Sequence, residues 1–508
     1  MTASAIALAE RYVMGIACSS ITKQGTNVML ELSVAGKEPR ALHVRDEETF
    51  VYADIEPSQV EDGKATYCLE MGYAGNLARF SSGKIGFYLD GEPVCAAKGQ
   101  VKDLKFVADQ YSNAFSVSKG GQLFCKIEAA WHSYEDTEEK RKANSRIWYS
   151  IFRRFAPINK KKVLFESFSK RTFSDNPKAI YQELAARDAG YECVWSLVNT
   201  KTDVGAAGKA VRYESLRYWY HLATAKYVVS NFNQFRLRKR AGQVVVNSMH
   251  GVPLKHMGLS VAKKPETVQK MKRTFASWDY FVTPCDYMSD IVAGPHYGFT
   301  GEFIRAGYPR NDVVIAGGKD EQMRQEVRAA LGVPQGKKVI LWAPTWRTKK
   351  RFDLKLDLDA MRDALGDEYV LVLRAHYLES AYVPKNVYND FVLNGHEYEN
   401  VGEMMFAADA LITDYSSIMF DYSLLKRPMV FFTWDYDCYM NKTRGMYFDL
   451  RGEFGNLVAT TTAEVIKKFQ DLDALKPDLE RFRSKFNQYD HGDAAAKVCD
   501  KLWPDSIK

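Results

Sequence analysis

The sequence is poor in the features that tie a chain to an unusual setting. Its eight cysteines lie far apart with no CxxC pair, and its histidines form no cluster at metal-ligand spacing, so neither a disulfide framework nor a zinc site is expected. A reducing cytoplasm is the expected home. No run approaches the ~18 to 20 apolar residues that a spanning helix requires, and membrane contact is therefore expected to be peripheral. The opening stretch MTASAIALAERYVMG lacks a basic leader, and Glu10 and Arg11 interrupt its short apolar run, which argues against a signal peptide. Internal repeats and low-complexity segments are missing too.

A strong charge of one sign is also missing. The 70 Lys and Arg against 63 Asp and Glu leave a formal +7, a mild excess that suits an anionic partner without naming it. Nucleic acid, a phosphorylated substrate and an anionic membrane all fit that balance. What is present is bulk: 508 residues, 46% hydrophobic and 26% charged, enough for about three globular domains at ~150 residues each.

Residues 1–134 contain period-two stretches such as NVMLELSV, TFVYADI and KIGFYLDGEPV, with Asp90-Gly91 as a hairpin signal, and read as a small β-sandwich of accessory type. Residues 135–160 form a linker. There Ile147, Trp148, Ile151, Phe152 and Phe155 share a helical face, with Arg146, Arg153, Arg154 and Lys160 to Lys162 nearby. That pattern fits a basic amphipathic helix on an anionic bilayer and fits a helix packed between domains as well. From 161 onward apolar strands alternate with helical stretches, the pattern of parallel α/β sheets. Two sets of strands divide this part into Rossmann-like domains at 161–315 and 316–508 facing a cleft.

Ligands of open parallel sheets bind beyond the carboxyl ends of the strands. Polar residues stand at those ends here: Ser230 and Asn231, Ser248 and His250, Thr345 and Arg347, Arg374 and His376, Asp414 to Ser417, and Asp435 and Asp437. In LITDYSSIMFDY, Ser416 and Ser417 fall where a strand turns into a helix, whose first N–H groups attract phosphate. Asp421 follows one turn later, where a carboxylate can accept from ribose hydroxyls. The implied ligand is a nucleotide diphosphate.

The segments MHGVPLKHMG, GYPRND, APTWR, LRAHY, ITDYSSIMFDY and RGMYFDL together resemble the CDP-glycerol glycerophosphotransferase family, the teichoic acid glycerol- and ribitol-phosphate primases and polymerases. The similarity runs from Lys161 to YDHGDAAAKV. It implies a GT-B-like α/β fold and no required metal or cofactor. The donor is a CDP-activated alditol, CDP-glycerol or CDP-ribitol, and CMP is released. The expected acceptor is lipid-linked, at the inner face of an anionic membrane, with no nucleic acid partner. By the same resemblance His250 is the general base, with His376 beside it as the second catalytic candidate. Thr345, Arg347, Arg374, His376, Ser416, Ser417 and Asp421 serve the donor, and Asn231 and Lys255 the acceptor. His256 reads as structural. Val252 stands where the family usually has Thr, and Tyr377 where it usually has Pro. A nucleotide-sugar glycosyltransferase would reuse the same phosphate and ribose sites, and an inactive carbohydrate-binding protein is the reading outside enzymology.

Overall fold

A computed structural model describes residues 16–506 except 35–39, 48–51, 72–75, 78–82, 103, 109–110, 171, 199, 201, 263, 319, 346, 348–353, 376–382, 397, 399–400 and 441–444. The opening stretch, His376, Tyr377 and Arg444 therefore lie outside the described residues. The chain divides into two compact units, one of residues 1–144 with 198–202, the other of residues 145–197 and 203–508. The division falls inside the helix Glu138–Phe155.

The first unit is a mostly antiparallel network of eleven strands from Ile16 to Ala129. Alternation explains it: in Asn27–Ser33, Val28, Leu30 and Leu32 are fully buried while the residues between them face outward, as a sheet with one packed face requires. Asp90 and Gly91 both take positive φ, 52° and 76°, and join Gly83–Leu89 to Glu92–Cys95 in register, the geometry of a two-residue hairpin turn.

The second unit holds two parallel sheets. Their strands are apolar along nearly their whole length, as in Lys338–Ala343 and Tyr369–Leu373, because helices cover both faces. The first sheet runs in the spatial order Gly208–Arg212, Glu192–Leu197, Asn159–Glu166, Ala225–Ser230, Val244–Asn247, Tyr280–Thr283, Glu302–Arg305. The second runs Val392–Asn394, Tyr369–Leu373, Lys338–Ala343, Ala410–Thr413, Met429–Phe432, Val458–Ala459. Each reverses its winding once, between Asn159–Glu166 and Ala225–Ser230, and between Lys338–Ala343 and Ala410–Thr413. These switch points are where such sheets open a crevice for a ligand.

One boundary differs from the sequence reading. The last helix, Ala494–Leu502, belongs to the first sheet's layer and not to the second domain: Ala494, Val498, Cys499 and Leu502 pack with Ile180 and Leu184 of the helix Asp175–Ala186. Its apolar stripe at four-residue spacing needs a hydrophobic surface, and the chain crosses back to find one. A single core runs from Val245 and Met249 of the first sheet through the strands of the second to Phe486.

Candidate functional site

His250 follows the strand Val244–Asn247, and neutral hydrogen bonds fix the turn that carries it. Asn247, fully buried, donates through Nδ2 to Ser230 Oγ and to the Phe232 carbonyl, both at 2.9 Å, and accepts from the Met249 N–H at 2.8 Å. Met249 is held at φ 49°, an uncommon conformation for a residue with a long side chain. The exposed His250 ring then places Nδ1 2.9 Å from the Asn231 carbonyl oxygen, with the Phe168 ring 5.6 Å away. A carbonyl only accepts, so in the neutral imidazole Nδ1 carries the proton and Nε2 keeps its lone pair. That is the tautomer a general base needs.

The structure gives Asn231 a different task from acceptor binding. Its side chain is fully buried and Oδ1 accepts from the Phe168 N–H at 2.9 Å, so it meets no polymer and instead sets the orientation of His250 through its carbonyl. Lys255 also differs from a residue of one half alone: its ammonium lies 5.5 Å above the Tyr439 ring of the second sheet's layer, and its backbone bridges Met446.

Arg310 joins the halves. Its Nη1 donates to Asp175 Oδ2 at 2.6 Å and to the His250 carbonyl at 2.7 Å, and its Nη2 donates to both oxygens of Asp421 at 3.0 and 2.8 Å. Burial works against the charge on Arg310, but Asp175 and Asp421 more than offset it and hold its proton tighter than usual. Asp421 is thus corrected from a ribose acceptor to an ion-pair partner, because a guanidinium fork fits both carboxylate oxygens at once. The loop after His250 reaches the same place. Gly251 adopts φ 153°, and a Cβ there would stand 3.4 Å from Cβ and Oγ of Ser417 and 3.6 Å from Arg310 Nη2. The histidine turn, the arginine clamp and the serine turn therefore meet at one point.

The rest of GYPRND is accounted for by the same neighbourhood. The Tyr308 N–H and Asn311 Nδ2 donate to Asp490 Oδ1 at 2.8 and 3.2 Å, and Asp312 accepts from the N–H groups of Ala494 and Ala495, capping the last helix. Burial pushes the Asp490 carboxyl up to about 7. Asp175, Arg310 and Asp490 escaped the residue-level reading because none stands at a strand end. The motif GYPRND signalled Arg310 and the stretch YDHGDAAAKV held Asp490, whereas Asp175 lay in none of the quoted segments.

At the second switch point Arg347 donates through Nε to Asp435 Oδ2 at 2.7 Å, and its Nη2 lies 2.7 Å from Asp414 Oδ2. It sits 5.0 and 5.2 Å from the rings of Tyr415 and Tyr439, which stack at 3.8 Å. Tyr415 donates to Asp435 at 3.1 Å, and the Thr345 N–H to Asp414 at 2.9 Å. Two carboxylates around one guanidinium leave no net positive charge there, so this Arg, expected to serve the donor, organises the crevice. Arg374 likewise turns Nη1 to the carbonyls of Gly395, His396 and Tyr398 and ties down that loop. Ser416 is half-buried and Ser417 exposed. The helix they open, Ile418–Tyr422, has five residues, and the Ser417 hydroxyl makes no capping bond and lies beside Gly251, while the helix dipole is weak. His256 packs 4.8 Å from Tyr447 and 6.3 Å from His296.

Comparison with known proteins accords with this layout. The family model "CDP-Glycerol:Poly(glycerophosphate) glycerophosphotransferase" matches residues 148–504. A teichoic acid poly(glycerol phosphate) polymerase of Staphylococcus epidermidis is 33% identical over 386 residues, 72% of this chain and 54% of that protein, so the chain spans about half of that relative's length. A polymerase of the same name from Bacillus spizizenii is 33% identical over 70% of this chain and 96% of its own length. The solved structure of the wall teichoic acid polymerase TagF superposes with a TM-score of 0.66 at 31% identity, covering 72% of this chain and 94% of that one. The region from the linker helix to the last helix thus carries the family's sequence and its fold together, and the chain belongs to the CDP-glycerol:poly(glycerophosphate) glycerophosphotransferase family.

Proposed function

We propose that this protein transfers glycerol phosphate from CDP-glycerol to a terminal hydroxyl of a teichoic-acid-type acceptor and releases CMP. The observation that carries it is the tautomer of His250, whose Nδ1 is bonded to the Asn231 carbonyl while its loop abuts Ser417 and Arg310. In this reaction the acceptor oxygen bonds to the phosphorus that bears glycerol. The bond from that phosphorus to the bridging oxygen breaks, its electron pair leaves with CMP, and the hydroxyl proton passes to Nε2. Ser416 and Ser417 offer hydroxyls to the pyrophosphate, and Lys255 offers positive charge at the rim. Both relatives named above are glycerol-phosphate polymerases by name, which favours glycerol over ribitol as the transferred unit. His376 keeps the donor role that its motif implies.

The acceptor is lipid-linked in this reading, and the protein works peripherally at the inner membrane face. No helix among the described residues is long and apolar enough to cross a membrane. Support for surface association comes from the helix Glu138–Phe155, on which Ile147, Trp148, Ile151 and Phe155 are exposed, Phe155 at 74%, with exposed Arg146 and Arg154 beside them. The deciding experiment incubates the protein with CDP-glycerol and CDP-ribitol in parallel, a lipid-linked acceptor, and product sizing by mass. CMP release with CDP-glycerol and mass steps of glycerol phosphate are expected. Release of a nucleoside diphosphate, or no turnover with either donor, refutes the reading.

A further inference from the structure

The first sheet has a second opening at the edge opposite the transfer site. A cavity of about 700 Å³ lies at the amino-terminal ends of the strands, lined by Asn159, Lys162, Glu192, Lys209, Arg217 and His221 among others. The strand Asn159–Glu166 separates the two openings by its full length, ~23 Å at about 3.3 Å per residue. This volume is in the range of small-molecule sites.

The lining is built for negative charge. Lys162 is 4% exposed and donates to Thr224 Oγ1 at 3.1 Å. Glu192, within 3.5 Å of Lys162 Nζ and bonded to Lys209, is the one carboxylate among the lining residues. Three cations therefore surround one anion. His221 is 8% exposed, and its Nδ1 is buried with no hydrogen-bond partner among the described residues. A buried polar nitrogen without a partner costs about 1 to 3 kcal/mol, so His221 marks a strained polar wall beside the cavity. Burial, then the fields of Lys162 and Lys209, push the imidazole down to about 4. The site is thus short of negative charge.

What stands at its mouth narrows the source of that charge. Pro157 and Ile158 of the lining directly follow the helix Glu138–Phe155. Tyr220, 42% exposed on the cavity rim, meets Phe152 of that helix edge-on at 5.5 Å. The same helix buries Tyr149 against Trp219 and turns Trp148, Ile151 and Phe155 outward. An apolar face next to a cationic hollow is the complement of a lipid surface, with acyl chains beside phosphate.

We propose that this cavity binds the phosphodiester of an anionic phospholipid headgroup while the Trp148–Phe155 face enters the membrane surface. Lys209 and Arg217 meet the phosphate oxygens, and His221 stands in the wall behind them, where it senses the ligand's charge. The proposal rests on the peripheral association given above, and the test separates the two. The full-length protein, with its histidines labelled with nitrogen-15, is mixed with nanodiscs of phosphatidylglycerol and phosphatidylcholine, with nanodiscs of phosphatidylcholine alone, and with soluble glycerophosphoglycerol. The His221 signal is identified by its loss in His221→Gln. Vesicle sedimentation is measured alongside.

With phosphatidylglycerol the His221 midpoint should rise by about 1 to 3 pH units, as a nearby opposite charge produces. Phosphatidylcholine should leave it in place, and Lys209→Ala with Arg217→Ala, checked for unchanged melting, should abolish the response. Vesicle pelleting with an unresponsive His221 overturns the cavity proposal and leaves peripheral association standing. A response to soluble glycerophosphoglycerol with none to nanodiscs overturns the lipid assignment and points to a free phosphodiester. A response that survives the double substitution overturns the assignment of Lys209 and Arg217.

Discussion

The two switch points of the second unit share one plan, yet their key side chains are held by different means. Around His250 the supporting groups are neutral amides and carbonyls, from Asn231, Asn247, Ser230 and Phe232. Around Arg347 they are charged, with Asp414 on one side and Asp435 on the other. A neutral frame fixes the tautomer and direction of a base without tying up its proton, whereas a charged frame fixes a cation in space and neutralises it. The first arrangement is suited to moving a proton and the second to shaping a crevice. Arg310 shows the charged device used across the halves, where it locks the serine turn to the histidine turn.

The comparison breaks most sharply at the base. His250→Ala should fold, bind CDP-glycerol near normally and lose ~10² to 10⁴-fold in turnover, the usual contribution of a general base. Steady-state rates beside calorimetric binding of the donor check this, and a folded variant with most of its turnover would hand the role to another residue. Arg310→Met removes the shared cation and leaves Asp175 and Asp421 unpaired, both largely buried. Breaking such a pair costs about 3 to 5 kcal/mol, so a large drop in unfolding midpoint in urea is expected.

Replacing Ser416 and Ser417 together by Ala tests the donor side. Each lost bond to a charged group is worth about 1.5 to 3 kcal/mol, and the effect should appear in the KM for CDP-glycerol and leave the acceptor KM alone. An unchanged donor KM would reduce both serines to turn formers.

A pH-dependent effect concerns Asp490. Burial raises its carboxyl to about 7 in the folded chain, above the ~3.9 of an unfolded aspartate. Its contribution to stability is therefore complete below pH ~4 and is lost as pH rises through 7, at no more than ~1.4 kcal/mol per pH unit. Asp490→Asn should flatten the stability profile between those limits. Denaturant midpoints taken across that range in both forms check the sign, and parallel profiles would place the titration elsewhere.

Much of this layout was legible in the chain itself, for a local reason. Unbroken apolar strands announce parallel sheets, period-two alternation announces the first unit, and Asp90-Gly91 announces a hairpin, since each depends on near neighbours. The strand ends also marked His250, Arg347 and the serine turn, because a parallel sheet exposes polar groups only where its strands stop. Only the tertiary structure decided the partners. Asp421 read as a ribose acceptor because its spacing from Ser417 is local, whereas Arg310, which occupies it, lies 111 residues away. Asn231 read as an acceptor ligand from its place at a strand end, but depth of burial is set by what packs above it. The last helix joined the first sheet because its apolar stripe needed cover that its own domain did not supply. Spacing along the chain fixes which residues share a face, and long-range packing fixes what each face meets.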